Sequence, residues 1–210
     1  MKYHVYYIFL LFTTKIVCRI VRYLKNRFYQ DYLVAYCLWR KVKFTPKRIH
    51  FNGNSQLDFN PGAIVELGND FICRSGYSID NSSCSKIIVL KGAHLKIGNF
   101  SGMTNTVLHC HNKVHIGDYV NIGAGTMIFD TDFHSTNWEK RASIYDLENR
   151  KCSPIMIGNH VFIGTRCIIC KGVCIGEKSI VAAGSVVTRN IPSNEVWGGN
   201  PARFIKNINN

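Results

Sequence analysis

The sequence is poor in proline and lacks a long uncharged run. Five prolines against seventeen glycines indicate many tight corners rather than a proline-rich linker. The uncharged run from Tyr3 to Thr14 has twelve residues, whereas a membrane-spanning helix needs about 20 apolar residues. Lys15, Arg19 and Arg22 follow this run in place of an Ala-x-Ala-like cleavage site, which argues against a signal peptide. We therefore expect a cytoplasmic protein of one domain with appendages.

Acidic residues are also scarce, and the imbalance is concentrated at the N-terminus. The chain has 26 Lys and Arg against 13 Asp and Glu, a net charge of +13. Residues 1–50 contain eleven of the basic residues and a single acid, Asp31. The chain is thus a basic leader on a nearly neutral body. Such a leader predicts an anionic partner: a membrane surface, a nucleic acid or a phosphorylated substrate.

The leader has the periodicity of an amphipathic helix. Lys15, Arg19, Arg22 and Asn26 take one face, and another carries apolar residues at Phe9, Phe12, Ile16, Ile20, Leu24 and Phe28. This pattern favours a helix that lies in the plane of an anionic leaflet, at the inner face of the membrane. A helix packed on its own domain or on a neighbouring subunit is the second interpretation, and a spanning helix is the least favoured.

From residue 157 the chain keeps a period of six residues. A β-branched aliphatic residue leads each unit, at Ile157, Ile163, Ile169, Ile175, Val181 and Val187. The second position is usually Gly or Ala, and the fifth is small or β-branched. An earlier block led by Ile116, Ile122 and Ile128 follows the same pattern. Fainter units begin at Leu67 and Ile97, and the nineteen residues from Ile97 to Ile116 imply one extra residue, as in a bulge.

A period of six residues is typical of a short strand plus a corner, repeated along a solenoid. We expect the lead and fifth positions to point inward and the small second residue to let the chain turn. The interpretation divides the chain into a helical leader (1–50), a solenoid (51–192) and a tail (193–210) that packs on the solenoid. Because the repeat is weak in residues 51–96, the sequence gives them no binding role.

The nine cysteines raise the question of disulfides or a metal site. Without an export signal we expect a reducing compartment and free thiols. Cys167, Cys170 and Cys174 are spaced like a ligand set, but they occupy the fifth, second and sixth positions of the repeat. These positions point in different directions, so we expect buried structural thiols and no metal.

The regular repeat is interrupted by a polar loop, residues 130–153. A long loop that leaves a regular solenoid is more often functional than accidental. The loop contains one histidine, His134, close to Asp130 and Asp132. Histidine can remove a proton near neutral pH, which an attacking hydroxyl requires.

The repeat, the loop histidine and the ending Gly198-Gly199-Asn200-Pro201-Ala202-Arg203 resemble the hexapeptide-repeat acyltransferases. Residues 113–208 are similar to maltose and galactoside O-acetyltransferases, to antibiotic-modifying relatives and to polysaccharide O-acetyltransferases. The resemblance implies a mainly β fold: a left-handed parallel β-helix with an N-terminal helical extension and a protruding active-site loop. It also implies a homotrimer with active sites between neighbouring subunits.

The same resemblance implies roles for individual residues. His134 would be the general base, and Asn105 would hold the acceptor. We also expect Asp130 and Asp132 at the substrate site, where one of the two would orient the imidazole. Acetyl-CoA would lie in a groove lined by Phe162, Gly164, Thr165, Ala183, Thr188, Arg189 and Arg203. The expected reaction acetylates a hydroxyl of a small-molecule or lipid-linked sugar, such as a surface-polysaccharide precursor. An antibiotic, an amino acid or an amino sugar is the alternative acceptor.

Two other functions remain as alternatives. Some trimeric β-helices are zinc carbonic anhydrases, and this chain offers His109, His111, His115, His134 and His160 as ligands. His109 and His115 are six residues apart and would lie on different faces, which argues against convergence on one metal. A non-enzymatic scaffold or nucleic-acid binder could use the basic leader, but the solenoid lacks the interleaved aromatic and basic residues of such binders. We therefore expect no nucleic-acid partner.

Overall fold

The computed structural model describes the backbone of residues 2–76 and 84–208, and side chains from residue 16 onward within these ranges. Helix α1 (Lys2–Trp39) is followed by a short 3-10 turn and by parallel strands. The strands are, in chain order, β1 (Ile49–Asn52), β2 (Gln56–Phe59), β3 (Ile64–Leu67), β4 (Phe71–Arg74), β5 (Lys86–Val89), β6 (His94–Ile97), β7 (Gly102–Thr104), β8 (Val107–Cys110), β9 (Lys113–Ile116), β10 (Asn121–Ile122) and β11 (Met127–Phe129).

After β11 the chain forms the loop, which contains helix α2 (Trp138–Arg141), and then resumes the strands. These are β12 (Ile155–Ile157), β13 (Phe162–Ile163), β14 (Ile168–Ile169), β15 (Cys174–Ile175), β16 (Ile180–Val181) and β17 (Val186–Val187). The tail forms an antiparallel hairpin of β18 (Glu195–Gly199) and β19 (Ala202–Asn207), and β18 adds to the sheet of β16.

Three parallel sheets form the faces of a triangular prism. Sheet I contains β1, β4, β7, β10, β13, β16, β18 and β19; sheet II contains β2, β5, β8, β11, β14 and β17; sheet III contains β3, β6, β9, β12 and β15. The chain visits sheets I, II and III in turn, so each set of three strands makes one coil. The predicted fold, a left-handed parallel β-helix with an N-terminal helix and a protruding loop, is confirmed.

The core is a column of inward-facing residues from every coil. The lead positions are buried, as at Ile163 and Ile169, and so are the fifth positions Val161 and Cys167, as the repeat predicts. Some fifth positions are hydroxyl residues that bond to backbone carbonyls; Ser179 Oγ, for example, donates to Pro192 O. These hydrogen bonds offset the cost of burying the hydroxyl groups.

The corners turn at the fourth position of the unit rather than at the second. Tyr119, His160, Arg166 and Lys178 occupy the fourth position and have φ between 55° and 61°. The second-position glycine is needed instead because successive coils approach closely: a Cβ on Gly164 would lie 2.5 Å from the backbone nitrogen of Ala183. The expectation that the small second residue makes the turn is therefore wrong. Its small size allows the coils to stack.

Helix α1 covers the first coil with its C-terminal turns. Leu33 and Cys37 are buried in the core, and the side chain of Gln30 bonds to the carbonyl of Ile49 and to the N–H of Phe51. The helix thereby pairs backbone groups of β1 that the edge of sheet I would otherwise expose. The β-helix itself begins at Ile49 and includes residues 51–76 and 84–96, where the sequence repeat is weak.

The extra residue between Ile97 and Ile116 causes no bulge in the pairing of β6 with β9. These strands pair without a register shift from His94↔Lys113 to Ile97↔Ile116. The corner between β8 and β9 carries the extra length. Leu108 precedes Ile116 by eight residues, two more than one unit, and follows Met103 by five, one fewer. The predicted insertion is present, but it lies at a corner.

Candidate functional site

The loop leaves the prism at the corner between sheets II and III. Its two ends are held together by the bridge Thr131↔Cys152 and by hydrogen bonds from Asp132 N to Lys151 O and from Ser153 N to Asp130 O. The Asn137 side chain caps α2 by accepting from Lys140 N. The loop is therefore an ordered excursion with a closed base.

His134 forms a hydrogen-bonded pair with an acid of the same loop. Its Nδ1 lies 2.6 Å from Oδ2 of Asp146, while Oδ1 of Asp146 accepts from the Ser135 N–H at 2.7 Å. The hydrogen bond with His134, and then that with Ser135, lowers the pKa of Asp146. The His134 side chain is 63% exposed, and its Nε2 makes no hydrogen bond within the described residues, so it is open to an incoming hydroxyl.

An ionised carboxylate on Nδ1 holds a neutral imidazole with its proton on that nitrogen, which leaves Nε2 as the basic atom. The same carboxylate stabilises the imidazolium that forms once Nε2 has taken a proton. The pair of His134 and Asp146 is therefore suited to general-base chemistry on a hydroxyl group.

Asp130 and Asp132, the acids named from the sequence, have other roles. Asp130 is fully buried, and its carboxylate accepts the backbone N–H groups of His111, Asn112 and Lys113. Asp132 forms an ion pair with Lys171 at 2.7 Å. The expectation that one of them orients His134 is wrong, because Asp146 does so. Asp146 has no sequence signal, since its contact depends on how the loop folds over twelve residues.

An aromatic and imidazole cluster supports the start of the loop. The ring of Phe133 packs edge-on against His109 and His111, with centroids 5.2 and 5.5 Å away, and also against Phe129. Burial, as the largest cause, lowers the pKa of His109 and of His111. Phe133 precedes His134, so this cluster fixes the backbone that carries the base.

Asn105 lies at the corner between sheets I and II, after β7. Its backbone has φ of 44°, its side chain is buried, and its Oδ1 accepts from Gly76 N at 2.9 Å. Its Nδ2 is also buried and has no hydrogen-bond partner in residues 16–76 and 84–208. One donor of this amide is therefore left for another group.

The residues named for acetyl-CoA lie at two corners, on β13 and in the tail hairpin. Phe162 is exposed on β13, and Thr165 and Ala183 are exposed in successive coils at the corner between sheets I and II. Gly164 is buried and spaces the coils, so it offers no surface. Thr188 and Arg189 follow β17 at the corner of sheets II and III, which also carries the loop. Arg203, in β19, is exposed and donates to Ala202 O.

A groove of about 270 Å³ runs over the outer face of sheet I. We call it the sheet I groove. Its lining includes Arg74, Phe100, Gly102, Thr104, Asn121 and Phe162. Phe100 also begins an exposed stack: its ring lies 4.9 Å from that of Tyr119, which lies 4.9 Å from that of His160. This surface combines aromatic, amide and guanidinium groups, as ligand sites do.

The cysteines have mixed environments. All nine are free thiols. Cys167 is buried as expected, but Cys170 is only half-buried and Cys174 is exposed, because neither of these two side chains points into the core of the prism. Within the part of the chain that the structure describes, no three His, Cys, Asp or Glu side chains converge as a metal site.

The projecting part of α1 leaves its apolar side chains exposed. The exposed fraction is 44% to 67% for Ile16, Ile20, Leu24 and Phe28. These side chains lie on a different face of the helix from Leu33 and Cys37. The face of Leu33 and Cys37 carries Arg22 and Arg19 farther toward the N-terminus. The predicted apolar and basic faces are thus both present from residue 16 onward, while the side chains of Phe9, Phe12 and Lys15 lie outside the described residues. Among the described residues no helix is long and apolar enough to cross a bilayer.

Comparisons with known proteins agree with the repeat. Residues 154–189 match the family model described as the hexapeptide repeat of succinyl-transferase. Galactoside O-acetyltransferase of Escherichia coli K12 is 38% identical over 121 residues, 56% of this chain and 56% of that protein. A putative acetyltransferase of Saccharomyces cerevisiae is 42% identical over 118 residues, 56% of this chain and 58% of that protein. The chain therefore matches little more than half the length of these relatives.

Solved structures share the fold at low sequence identity. A mutant of AntD, an N-acyltransferase from Bacillus cereus solved in complex with dTDP and coenzyme A, is 23% identical with a TM-score of 0.60, over 80% of this chain and 83% of that one. A hexapeptide-repeat acetyltransferase of Vibrio cholerae is 23% identical with a TM-score of 0.54, over 91% and 93% of the two chains. These similarities establish the fold.

Proposed function

We propose that this hexapeptide-repeat β-helix protein is an acetyl-CoA-dependent O-acetyltransferase that acts on a sugar hydroxyl. The observation that carries the proposal is the pair of His134 and Asp146, held on an ordered loop with Nε2 open to solvent. The similarity of about half the chain to a galactoside O-acetyltransferase supports acetyl transfer as the reaction.

The reaction follows from these groups. Nε2 of His134 takes the proton of the acceptor hydroxyl while the hydroxyl oxygen attacks the acetyl carbonyl. Asp146 stabilises the imidazolium that forms. A backbone N–H of the proposed acetyl-CoA groove stabilises the oxyanion. When the tetrahedral intermediate collapses, the carbon–sulfur bond breaks and the imidazolium returns the proton to the leaving thiolate. The products are the acetyl ester and coenzyme A.

The proposed acetyl-CoA groove is lined by six exposed residues: Phe162, Thr165, Ala183, Thr188, Arg189 and Arg203. The guanidinium groups of Arg189 and Arg203 suit the CoA phosphates. Gly164 acts indirectly, because it allows the coils that carry Thr165 and Ala183 to stack closely.

The site is proposed to form between subunits of a homotrimer. His134 emerges at the corner of sheets II and III, whereas Thr165 and Ala183 lie at the corner of sheets I and II. The two corners are separated by the length of a sheet II strand with its flanking residues, roughly 16 Å. No hydrogen bond in residues 84–208 joins the loop to Thr165 or Ala183. A neighbouring chain brings the two corners together, as cyclic assemblies do.

The leader is proposed to bind an anionic membrane surface and so to bring the enzyme to a lipid-linked sugar. Its exposed apolar face points away from the surface that packs on the β-helix, and residues 1–50 carry eleven basic residues and one acid. This combination of an apolar face with positive charge fits an anionic leaflet.

Liposome sedimentation tests the membrane interaction. We expect binding to vesicles containing phosphatidylserine, weaker binding at high salt, and little binding to phosphatidylcholine alone. The Ile20→Asp/Leu24→Asp variant should lose binding, whereas Ile64→Asp, at an exposed aliphatic residue on the β-helix, should retain it. Equal binding to both lipids at all salt concentrations would contradict the interaction.

The enzymatic proposal is tested by the release of free thiol from acetyl-CoA in the presence of sugars and nucleotide sugars. We expect acceptor-dependent release that falls by about 10²–10⁴-fold in His134→Ala, since the general base is lost. Glu139→Ala, at an exposed residue of the same loop, should retain the wild-type rate. Release that survives the loss of His134 would remove that residue from the mechanism.

A further inference from the structure

Two aromatic side chains, Phe100 and Phe162, contribute to the lining of the sheet I groove. Phe100 and Phe162 are both about half exposed, at 47% and 49%, and they form aromatic walls. Along the outer face of sheet I, Gly102 lies between Ile72 and Asn121 in register. A Cβ on Gly102 would come no closer than 3.6 Å to its neighbours, so packing does not require glycine at this position. The absence of a side chain leaves a depression in the outer face of the sheet. The C–H faces of a sugar ring pack well on such walls.

The lining of the groove also carries one positive charge. Among the residues that the structure describes, Arg74 is the single charged side chain of this lining. Arg48, in contrast, is paired with Asp70, and Arg27 with Asp31. In residues 16–76 and 84–208 the Arg74 side chain has no hydrogen-bond or ion-pair partner. Its planar set of N–H donors matches a carboxylate or a phosphate.

A second donor belongs to the residue that directly follows the lining in the sequence. Asn105 follows Thr104, a residue of the lining. Its Oδ1 is engaged by Gly76 N, whereas its buried Nδ2 has no partner in the described parts of the chain. The charge and the spare amide of this region are therefore both donors, and an ionised carboxylate or phosphate offers only acceptors.

We propose that the sheet I groove binds the acceptor and that the acceptor is an anionic sugar, with a carboxylate or phosphate that contacts Arg74. The ring lies between Phe100 and Phe162, the second of which is also proposed at the acetyl-CoA groove, with one hydroxyl directed toward His134 of the neighbouring chain. This assignment rests on the proposed acetyl transfer and adds the chemical class of its acceptor. Arg74 determines specificity and takes no part in proton transfer.

Matched acceptors test the assignment. Thiol release from acetyl-CoA is measured with methyl glucoside, methyl glucuronoside and glucose 1-phosphate, which separate a carboxylate from a phosphate as the preferred anion. One or both anionic sugars should exceed methyl glucoside in kcat/KM by about 10- to 100-fold, the range of a charge-assisted hydrogen bond. Arg74→Met should reduce this ratio to near one, and Arg74→Lys should leave an intermediate ratio because charge remains without the planar fork.

Lys96→Met is the matched control, since Lys96 is an exposed basic residue on sheet III, and it should leave the ratio unchanged. Saturation-transfer NMR on the same sugars gives a readout that does not depend on turnover. Anion-selective binding that Arg74→Met abolishes would support the groove even if no acetyl transfer occurred. The assignment is overturned if methyl glucoside binds or reacts as well as both anionic sugars, or if Arg74→Met lowers all acceptors equally.

Discussion

The residue whose role is most specific is Asp146. Its carboxylate bonds to His134 Nδ1 and to Ser135 N, and the first of these bonds is the main cause of its lowered pKa. Asp146→Asn should lower kcat on the order of 10²-fold with little change in KM, because the imidazolium loses its counter-charge. Steady-state kinetics checks this, with Glu148→Gln in the same loop as control. A wild-type kcat in Asp146→Asn would rule out the orienting role.

A second prediction at the residue scale concerns coil spacing. A methyl group added at Gly164 would lie 2.5 Å from Ala183 N and 2.8 Å from its Cα. Gly164→Ala should therefore lower the free energy of unfolding by about 1–3 kcal/mol, since backbone rather than a flexible side chain must move. Urea denaturation measures the change. Gly102→Ala, where the added Cβ would meet its nearest neighbour at 3.6 Å, should show no such loss, and equal stability of the two variants would refute the spacing role.

At the scale of elements, the base of the loop should respond to acid. Burial, as the largest cause, lowers the pKa of His109 and of His111 below 6.5. The positive charge of Lys86 lowers the pKa of His109 further, and that of Arg150 lowers the pKa of His111 further. The negative charge of Asp130 opposes the shift at both histidines. The folded state thus binds fewer protons than the unfolded chain just below pH 6.5, so stability should fall as the pH is lowered through that region. Denaturation midpoints between pH 7.5 and 5 test this.

The matched variant is His109→Gln/His111→Gln, whose midpoint should depend less on pH over the same interval. His115 also has a pKa lowered by burial, on sheet III, so some dependence should remain. Stability that rises toward pH 5 in the wild type would contradict the lowered pKa of His109 and of His111.

At the scale of the whole molecule, the prism was predictable wherever one coil equals three units of six residues. In residues 49–97 the coils are longer: Leu67 pairs with Ile97, thirty residues on, so the period is lost although the strands remain. His134 could be found because it lies in the segment that breaks the period. Asp146 and the sheet I groove could not, because loop folding and stacking bring Arg74, Phe100 and Phe162 together from distant positions in the sequence.

The central claim is that His134 of one chain acts on acetyl-CoA held by its neighbour, and complementation between subunits tests it directly. His134→Ala and Ala183→Trp, which obstructs the proposed groove, should each be inactive as homotrimers. In trimers assembled from equal amounts of both, about a quarter of the sites would combine an intact histidine with an intact groove. We predict recovery of roughly that fraction of wild-type thiol release; a mixture no more active than either variant alone would contradict a site shared between chains.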